Sequence, residues 1–380
     1  MKMRDDTICV HGAVIRDNPT GAVCQPIYQT ATFSHPSVDN STGYDYSRLQ
    51  NPTRAHLEEV VCHLEKGDAA FAFATGMAAI ATLAALFAPG DKILASDDLY
   101  GGTVRLFDNV LAEKGIRIDY VNTSDLDAVA RKIDAGTKMV FCETMTNPTM
   151  NVTDIAGVKE LIGSRDILLA VDNTFLTPYC CRPIELGADI VIHSGSKYLS
   201  GHNDTLAGFL ITASPALSER LRYLTKTIGA CLSPFDSYLL IRGIKTLALR
   251  MEKSQQNALA VAGWLSRHPK VHKVLFAGLP DHPQHAVMER QSRGFGSMIS
   301  FETDSEQTAR HVLNHLSLIT FAESLGGVES LMTYPLTQTH ADVPLEKRLQ
   351  LGINEKLLRL SVGIENPQDL IDDLAQAFPG

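Results

Sequence analysis

Three short apolar segments of the sequence end in polar residues that could do chemistry. The first ends in Glu143, with Asn147 shortly after it, and the second ends in Asp172. The third runs into the segment 193–197, whose sequence is HSGSK. An isolated acid at a strand end usually forms a cap or a turn, but ligands of open α/β sheets bind beyond the carboxyl ends of the strands. Because three predicted strands end in polar residues, and these ends are expected at the same edge of the sheet, we predict a functional site at that edge.

Lys197, at the end of the third segment, has three interpretations. It could be an exposed surface lysine, as most lysines are. It could be the base for a Ser194 nucleophile, because the two spell SxxK, but the SDN and KTG motifs that accompany such a pair are absent from the sequence. It could also form a Schiff base with an aldehyde cofactor, while the hydroxyls of Ser194 and Ser196 donate to a phosphate.

Pyridoxal phosphate fits the third interpretation and needs four further groups. Asp172 can keep the pyridine nitrogen protonated, so that the ring accepts electrons. Tyr100, which follows another predicted strand, can stack on the ring. The turn at Gly76 lets backbone N–H groups approach a phosphate at a helix N-terminus. Arg359 interrupts an apolar strand and is either an edge-strand charge or a two-point clamp for a carboxylate.

Helical and extended segments alternate between residues 51 and 235, which is the pattern of βαβ units around a parallel sheet. The short apolar segments there are typical of strands that helices cover on both faces. Beyond residue 235, a long helical stretch from Phe235 to about Ser266 precedes a smaller α+β unit. We therefore predict an N-terminal arm over 1–50, a large cofactor-binding domain over 51–235 and a small C-terminal domain over 236–380.

Composition places the chain among globular proteins and argues against two kinds of partner. It has 380 residues, 44% of them hydrophobic and 20% charged, with a net charge of −9. That charge argues against nucleic acid or an anionic membrane as the main partner. No apolar run approaches the roughly 18–20 residues that cross a bilayer, and the N-terminus lacks the apolar region of a signal peptide, so a cytoplasmic location is expected. Seven scattered cysteines without a CxxC pair favour free thiols over disulfides or zinc.

The sequence resembles the trans-sulfuration family of pyridoxal-phosphate enzymes over nearly its whole length. The resemblance runs from the segment 26–30 to the segment 360–365, and its most specific part is the segment 193–198. The family comprises cystathionine γ-synthases, cystathionine γ- and β-lyases, methionine γ-lyases and O-acylhomoserine thiolyases. The resemblance implies an α/β fold of the aspartate-aminotransferase type, which is fold type I of pyridoxal-phosphate-dependent transferases. It also implies a homotetramer made of two catalytic dimers.

The resemblance assigns roles to the matching positions. It makes Lys197 the Schiff-base lysine, Tyr100 the stacking phenol that acts with it in catalysis, and Asp172 the partner of the pyridine nitrogen. Positions that match contacts to the cofactor phosphate are Gly76, Met77, Ser194 and Ser196. Positions that match residues near the cofactor or the substrate carboxylate are Asn147, Ser324 and Arg359. Tyr46 and Arg48 match the two residues that, in this family, reach across the dimer to the cofactor phosphate of the neighbouring subunit.

Three motifs depart from the family pattern. The usual Ser-Ala-Thr-Lys is Ser-Gly-Ser-Lys over residues 194–197, and the usual Ser-Ser-Gly-Met is Ala-Thr-Gly-Met over residues 74–77. Ser196 and Thr75 keep a hydroxyl, so phosphate binding should survive. The usual Ser-Pro-Thr-Asn-Pro is Thr-Met-Thr-Asn-Pro over residues 144–148, which is expected to reshape the pocket wall slightly.

Four features bear on which reaction of the family the chain performs. Methionine γ-lyases usually carry a cysteine where this chain has Gly102, which counts against that activity. Glu323 is either a solvated turn acid or a match to the acid that faces the amino group of a bulky substrate in synthases and cystathionine lyases. The segments 201–204 and 333–340 look most like bacterial cystathionine γ-synthases, some of which also act as O-acetylhomoserine thiolyases.

We therefore expect γ-replacement on an O-acylhomoserine with cysteine, giving cystathionine, a transferase step of methionine biosynthesis. The alternative is a cystathionine γ- or β-lyase of cysteine metabolism, which eliminates at a C–S bond and can act as a homocysteine or cysteine desulfhydrase.

Two rivals come from other classes of protein. One is a non-catalytic protein that keeps the fold, against which the joint presence of Lys197, Asp172, Tyr100 and Arg359 argues. The other is a metalloenzyme built on the histidine pairs at 311 and 315 or at 282 and 285. Neither pair has an acid or cysteine companion at ligand spacing, so no metal is expected.

Overall fold

The computed structural model describes residues 3–12, 20–338 and 345–380, which form two sheets covered by helices. The larger sheet has seven strands, namely β1 (Ala69–Phe73), β2 (Lys92–Ser96), β3 (Arg117–Val121), β4 (Thr137–Glu143), β5 (Leu168–Asp172), β6 (Ile190–Ser194) and β7 (Gly208–Thr212). Their order is β1-β7-β6-β5-β4-β2-β3, and only β7 runs antiparallel to its neighbours. The carboxyl ends of β4, β5 and β6 consequently lie side by side at one edge.

Helices cover both faces of this sheet, so its strands are largely buried, except for the partly exposed edge strand β3. In chain order they are α1 (Asp5–His11), α2 (Pro52–Glu65), α3 (Gly76–Ala84), α4 (Gly101–Leu106), α5 (Leu126–Lys132), α6 (Ile155–Ile162), α7 (Thr177–Cys180), α8 (Pro215–Ile228), α9 (Pro234–Ile244) and α10 (Leu247–Leu265). A π-helical turn (Phe107–Leu111) and two 3₁₀ turns (Ala112–Lys114 and Pro183–Leu186) complete the set. Two apolar cores, one on each face, stabilise the assembly by removing aliphatic and aromatic side chains from water.

The start of α3 is pressed against the ends of β6 and β7. The Thr75 side chain caps the helix by accepting a hydrogen bond from Ala78 N at 3.0 Å. A Cβ atom at Gly208 would lie 2.2 Å from Thr75 O, and one at Gly76 would lie 3.2 Å from the Cβ of Ser194. Glycine at position 208 is therefore required for the helix N-terminus to reach the carboxyl edge of the sheet.

The smaller sheet lies in the C-terminal part and packs around a third apolar core. Its strands are β8 (Val271–Leu275), β9 (Met298–Thr303), β10 (Thr320–Phe321), β11 (Leu331–Thr333) and β12 (Leu357–Ser361). Their order is β10-β11-β12-β9-β8, antiparallel except for the pair β10 and β11. The helices of this part are α11 (His285–Gln291), α12 (Glu306–His315), α13 (Leu345–Gln350) and α14 (Pro367–Ala377).

The helical stretch predicted from Phe235 to about Ser266 is divided into two helices, α9 and α10. The carbonyl of Gly243 accepts hydrogen bonds from Thr246 N at 3.2 Å and from Arg250 Nη2 at 2.9 Å. These bonds end α9 in place of a further α-helical turn. The apolar periodicity continues across the break, which is why the sequence pattern did not reveal it. Within the described residues, no helix combines the length and apolarity needed to span a bilayer.

Candidate active site

A cavity of about 370 Å³ opens at the carboxyl edge of the larger sheet and is closed by residues of the C-terminal part. Its volume lies within the range of small-molecule and cofactor sites. The predicted site residues that line it are Gly76, Met77, Tyr100, Asn147, Asp172, Ser194, Ser196, Lys197, Glu323, Ser324 and Arg359. Side chains that are distant in the sequence thus share one enclosed space.

Lys197 follows β6 in a turn and extends its amine across the cavity. Its Nζ donates a hydrogen bond to Ser324 Oγ at 2.9 Å, a residue of the C-terminal part. Burial, together with the positive charge of Arg359, lowers the pKa of Lys197 to about 8, although the carboxylate of Glu323 opposes this shift. A substantial fraction of the amine is therefore neutral near physiological pH, as a nucleophile or base requires. The amine bonds Ser324 rather than Ser194, unlike the geometry that an SxxK nucleophile needs.

Asp172 is held at the end of β5 by its own turn. Its Oδ1 accepts hydrogen bonds from Thr174 N at 3.0 Å and from Thr174 Oγ1 at 2.5 Å. Burial raises the pKa of Asp172, while the bonds from Thr174 and the charge of His193 oppose the rise. Thr174 Oγ1 also accepts a bond from Ser194 N at 2.8 Å, so the ends of β5 and β6 are tied together.

Glu143 is a lining residue that the sequence analysis noted as a strand end but did not place in the site. It pairs in register with Asp172 on the neighbouring strand, and its Oε1 accepts a hydrogen bond from Tyr100 N at 3.1 Å. Burial, together with the negative charge of Asp172, raises the pKa of Glu143 well above its usual range. The carboxyl group thus anchors the turn that carries Tyr100. The only feature of the sequence that pointed to Glu143 was its position at the end of a predicted strand.

Arg359 lies in the middle of β12 and is fully buried. Nη1 donates to Asn147 Oδ1 at 2.8 Å, and Nη2 donates to Ser324 O at 3.0 Å and to Thr333 Oγ1 at 2.9 Å. Among the described residues, no carboxylate forms an ion pair with it, and its Nε has no hydrogen-bond partner. Burial lowers its pKa to about 10. A buried cation on the lining of a cavity, without such an ion pair, favours an anionic ligand.

The start of α3 brings hydrogen-bond donors to the lining of the cavity. The backbone N–H groups of Gly76 and Met77 belong to the first turn of α3, where no intrahelical acceptor exists. The hydroxyl of Ser194 lies beside them, and the hydroxyl of Ser196 accepts from Ala207 N at 2.9 Å and donates to Ala207 O at 3.3 Å. First-turn amides with the helix dipole form a suitable environment for a phosphate.

Comparison with known protein families covers almost the entire chain. Residues 6–379 match the family model described as Cys/Met metabolism PLP-dependent enzyme. The chain belongs to this family. It is therefore a pyridoxal-phosphate-dependent enzyme with fold type I, in which a large α/β domain is followed by a smaller C-terminal sheet domain.

Relatives within the Cys/Met metabolism family carry three different activities. The chain is 47% identical to a cystathionine γ-lyase of Bacillus subtilis, with 99% of each chain covered. It is 45% identical to a cystathionine β-lyase of Coxiella burnetii, covering 99% of this chain and 98% of that one. The structure of a cystathionine γ-synthase from Xanthomonas oryzae, solved with aminoacrylate and cysteine, superposes with a TM-score of 0.97 at 38% identity, covering 99% and 98%.

The lining of the cavity fits the cofactor of the Cys/Met metabolism family. The lining includes first-turn amides and hydroxyls suited to a phosphate, and the carboxyl group of Asp172 suited to a pyridine nitrogen. Lys197 lies in the same space with a pKa lowered to about 8, suited to covalent attachment of an aldehyde. Arg359 lies in the same lining, and its guanidinium charge suits a substrate carboxylate.

Two predicted site residues lie elsewhere in this chain. Tyr46 and Arg48 do not line the cavity, and Tyr46 is 45% exposed. The Arg48 guanidinium lies 5.8 Å from the centre of the Tyr46 ring and donates a hydrogen bond to Lys226 O. Of the predicted segment 333–340, residues 339 and 340 fall outside the described residues.

The histidine pairs considered for a metal lie outside the cavity. The rings of His311 and His315 stack on each other with centroids 3.8 Å apart. In the ranges that the structure describes, no group of three or more His, Cys, Asp or Glu side chains is arranged to hold a metal ion.

Proposed function

We propose that the chain catalyses γ-replacement on an O-acylhomoserine with cysteine as the acceptor, producing cystathionine. The γ-carbon–oxygen bond breaks and the acyl group leaves as a carboxylate, while the sulfur of cysteine loses its proton and bonds to the γ-carbon. The observation that carries this proposal is the placement of Glu323 at the cavity of Lys197 and Arg359. A carboxylate there suits the second amino group that cystathionine carries at its far end.

Each lining residue has a role in this proposal. Bound pyridoxal phosphate supplies an aldehyde for the substrate amino group and a ring that accepts electrons from the α-carbon. Lys197 would hold that aldehyde in the resting enzyme, and its free amine would remove the proton from the substrate α-carbon. Arg359 would bind the substrate carboxylate, while Asn147 and Ser324 orient the guanidinium and the amine. Asp172 would hold the pyridine nitrogen, and Tyr100 would contact the ring.

The phosphate contacts complete the proposed site. The amides of Gly76 and Met77 donate to the phosphate together with the hydroxyls of Ser194 and Ser196. These groups hold the cofactor at the end of the cavity where the dipole of α3 favours negative charge.

The segment 201–204, which resembles bacterial γ-synthases, supports the replacement reaction through its contacts with the segment that carries Glu323. Val328 N donates to Gly201 O at 2.9 Å, and Asn203 Nδ2 donates to Glu329 Oε2 at 2.8 Å. The segment 201–204 is thereby fixed to the segment 323–330 that carries Glu323. Cysteine as the acceptor agrees with the amino acid found in the Xanthomonas γ-synthase structure.

A cystathionine lyase is the second candidate, because the γ-lyase and β-lyase relatives are 47% and 45% identical. The same Glu323 and Arg359 would bind cystathionine as a substrate. In that reaction the carbon–sulfur bond breaks, with no acceptor thiol added.

Product analysis by mass spectrometry separates the two candidates. The same enzyme is given O-acetyl- or O-succinylhomoserine plus cysteine in one reaction and cystathionine alone in the other. We expect cystathionine to accumulate in the first and to persist in the second. Consumption of cystathionine would contradict the proposal and identify a lyase. Cysteine with 2-oxobutanoate would then indicate γ-cleavage, and homocysteine with pyruvate would indicate β-cleavage.

We further propose that the enzyme is a homotetramer of two catalytic dimers, in which Tyr46 and Arg48 complete the phosphate site of the neighbouring subunit. Their absence from the cavity of their own chain and the exposure of Tyr46 support this arrangement. Such an arrangement leaves a lone subunit with an incomplete site.

Mixing two inactive variants tests the shared site. Arg48→Ala removes the arm's cation and Lys197→Ala removes the amine, so each variant alone should be nearly inactive. In a mixed dimer, one site has both defects and the other has neither, so unfolding and refolding the variants together should restore about one quarter of the normal activity. No recovery, with mixed dimers demonstrated by differential tags, would show that Arg48 acts within its own subunit.

A further inference from the structure

Residues at the ends of β5 and β6 alternate between the cavity and the opposite face of the sheet. Asp172, Thr174 and Ser194 line the cavity. Asn173 and His193 do not line it and are fully buried. This is the two-residue period of extended chain, and it means that fixing Asn173 and His193 also fixes their neighbours in sequence.

Glu65 joins the two strand ends on that opposite face. It is the last residue of α2 and is fully buried. Its Oε1 accepts hydrogen bonds from His193 Nε2 at 2.6 Å and from Asn173 Nδ2 at 2.9 Å. Asn173 Nδ2 also donates to Cys181 O at 2.9 Å. One carboxylate oxygen therefore holds the residue after Asp172 and the residue before Ser194.

The free-energy cost of burying the Glu65 carboxylate indicates that this residue does more than stabilise the fold. A buried carboxylate loses its hydration and needs hydrogen bonds in exchange. Within the described residues, Oε2 of Glu65 and Nδ1 of His193 have no hydrogen-bond partner. Apolar side chains of similar volume often replace buried ionic groups without loss of stability. An apolar side chain could not, however, accept the hydrogen bonds by which Glu65 holds the ends of β5 and β6.

We propose that Glu65 is a positioning residue for the cofactor pocket. From behind the sheet it holds Asn173 and His193, and through them it keeps Asp172 and Ser194 where pyridoxal phosphate binds. Thr174 joins the same two strand ends from the cavity side, so the ends are clamped on both faces. This inference deepens the proposed function and rests on its placement of the cofactor against Asp172 and Ser194.

Titration of the cofactor-free protein with pyridoxal phosphate tests the proposal without any substrate. Glu65→Leu should raise the dissociation constant about 10- to 100-fold, the loss typical when partners that orient metal ligands are removed. The visible circular dichroism per bound cofactor should also fall, because that signal reports how the ring is held. Glu65→Gln keeps an oxygen acceptor and should bind within about threefold of the unaltered chain, since only the charge is lost.

Glu58 on the same helix provides the matched control. Its carboxylate accepts a hydrogen bond from Ala72 N at 2.9 Å and lies 3.7 Å from Arg54 Nε, away from the cavity. Glu58→Leu should lower the unfolding temperature but leave cofactor affinity and the dichroic signal unchanged. If Glu65→Leu also changed only the unfolding temperature, or if Glu65→Gln bound as weakly as Glu65→Leu, positioning by hydrogen bonds would be excluded.

A third variant distinguishes an error in the positioning role of Glu65 from an error in the proposed placement of the cofactor. Asp172→Asn should weaken cofactor binding if the cofactor lies against Asp172. Unaltered binding by Asp172→Asn would overturn the proposed placement of the cofactor, and the positioning role with it. Weakened binding by Asp172→Asn together with normal binding by Glu65→Leu would overturn the positioning role alone.

Discussion

Replacing Lys197 with alanine is expected to reduce turnover by about 10⁴-fold, the upper end of what a positioned proton-transfer group contributes. The amine both holds the cofactor aldehyde and removes the substrate α-proton in the proposed reaction. No other lysine lines the cavity that the structure describes. The measurement is steady-state kcat with saturating pyridoxal phosphate, together with the visible absorption that a Schiff base produces.

Lys92 is the matched control for Lys197. It is also a buried lysine, but it lies on β2 and pairs with Asp119 at 2.8 Å and Asp134 at 2.9 Å, outside the cavity. Lys92→Ala should lower stability and leave kcat per folded molecule close to normal. A Lys197→Ala enzyme with turnover within tenfold of normal would remove the lysine from the mechanism.

The lowered pKa of Lys197 adds a pH dependence to the same prediction. In the cofactor-free protein, reaction of this amine with an acylating reagent should be half-maximal near pH 8, because only the neutral amine reacts. Arg359→Met removes a nearby positive charge and should move the midpoint upward. Glu323→Gln removes a nearby negative charge and should move it downward. Midpoints that stay fixed in both variants would contradict the proposed electrostatic coupling.

Arg359→Gln is expected to reduce kcat/KM by about 10²- to 10³-fold, mainly through KM. The guanidinium would pair with the substrate carboxylate in an enclosed site, and removing one partner of such a pair costs on the order of 2–5 kcal/mol. Glutamine retains hydrogen-bonding capacity toward Asn147 and Thr333 but carries no charge. Initial rates over a range of substrate concentrations separate KM from kcat.

Arg250 is the matched control for Arg359, because it is also a buried arginine but lies outside the cavity. Its Nε donates to Thr246 Oγ1, its Nη1 donates to Tyr198 O, and its Nη2 donates to carbonyls that include Gly243 O, so each nitrogen is used. Arg250→Gln should lower the free energy of unfolding and leave KM unchanged. An equal rise of KM in both variants would mean that Arg359 acts through the fold rather than through a carboxylate.

The positions of Asp172 and Lys197 could be predicted because a parallel sheet imposes them. Buried strands read as short apolar runs, and their carboxyl ends meet at one edge whatever the details of the helices. Arg359 stood out for a related reason, since a cation within an apolar strand has few structural explanations.

Contacts that depend on chain segments far apart could not be predicted in this way. The bond between Lys197 and Ser324 joins two sheets, and no local pattern encodes how those sheets dock. The antiparallel direction of β7 could not be predicted either, because a short apolar run looks the same in both directions. Glu65 looked like an ordinary helix-end acid, and only the structure places it beneath the strand ends.

The bonds that join the two sheets also govern when a newly made chain first becomes an enzyme. The larger sheet gains its last strand at Thr212, but Ser324 and Arg359 emerge from the ribosome much later. Because Lys197 and Asn147 bond these late residues directly, the binding surface stays open until translation is almost finished. A chain terminated before residue 324 would therefore contain Lys197 but lack the two late residues that bond Lys197 and Asn147.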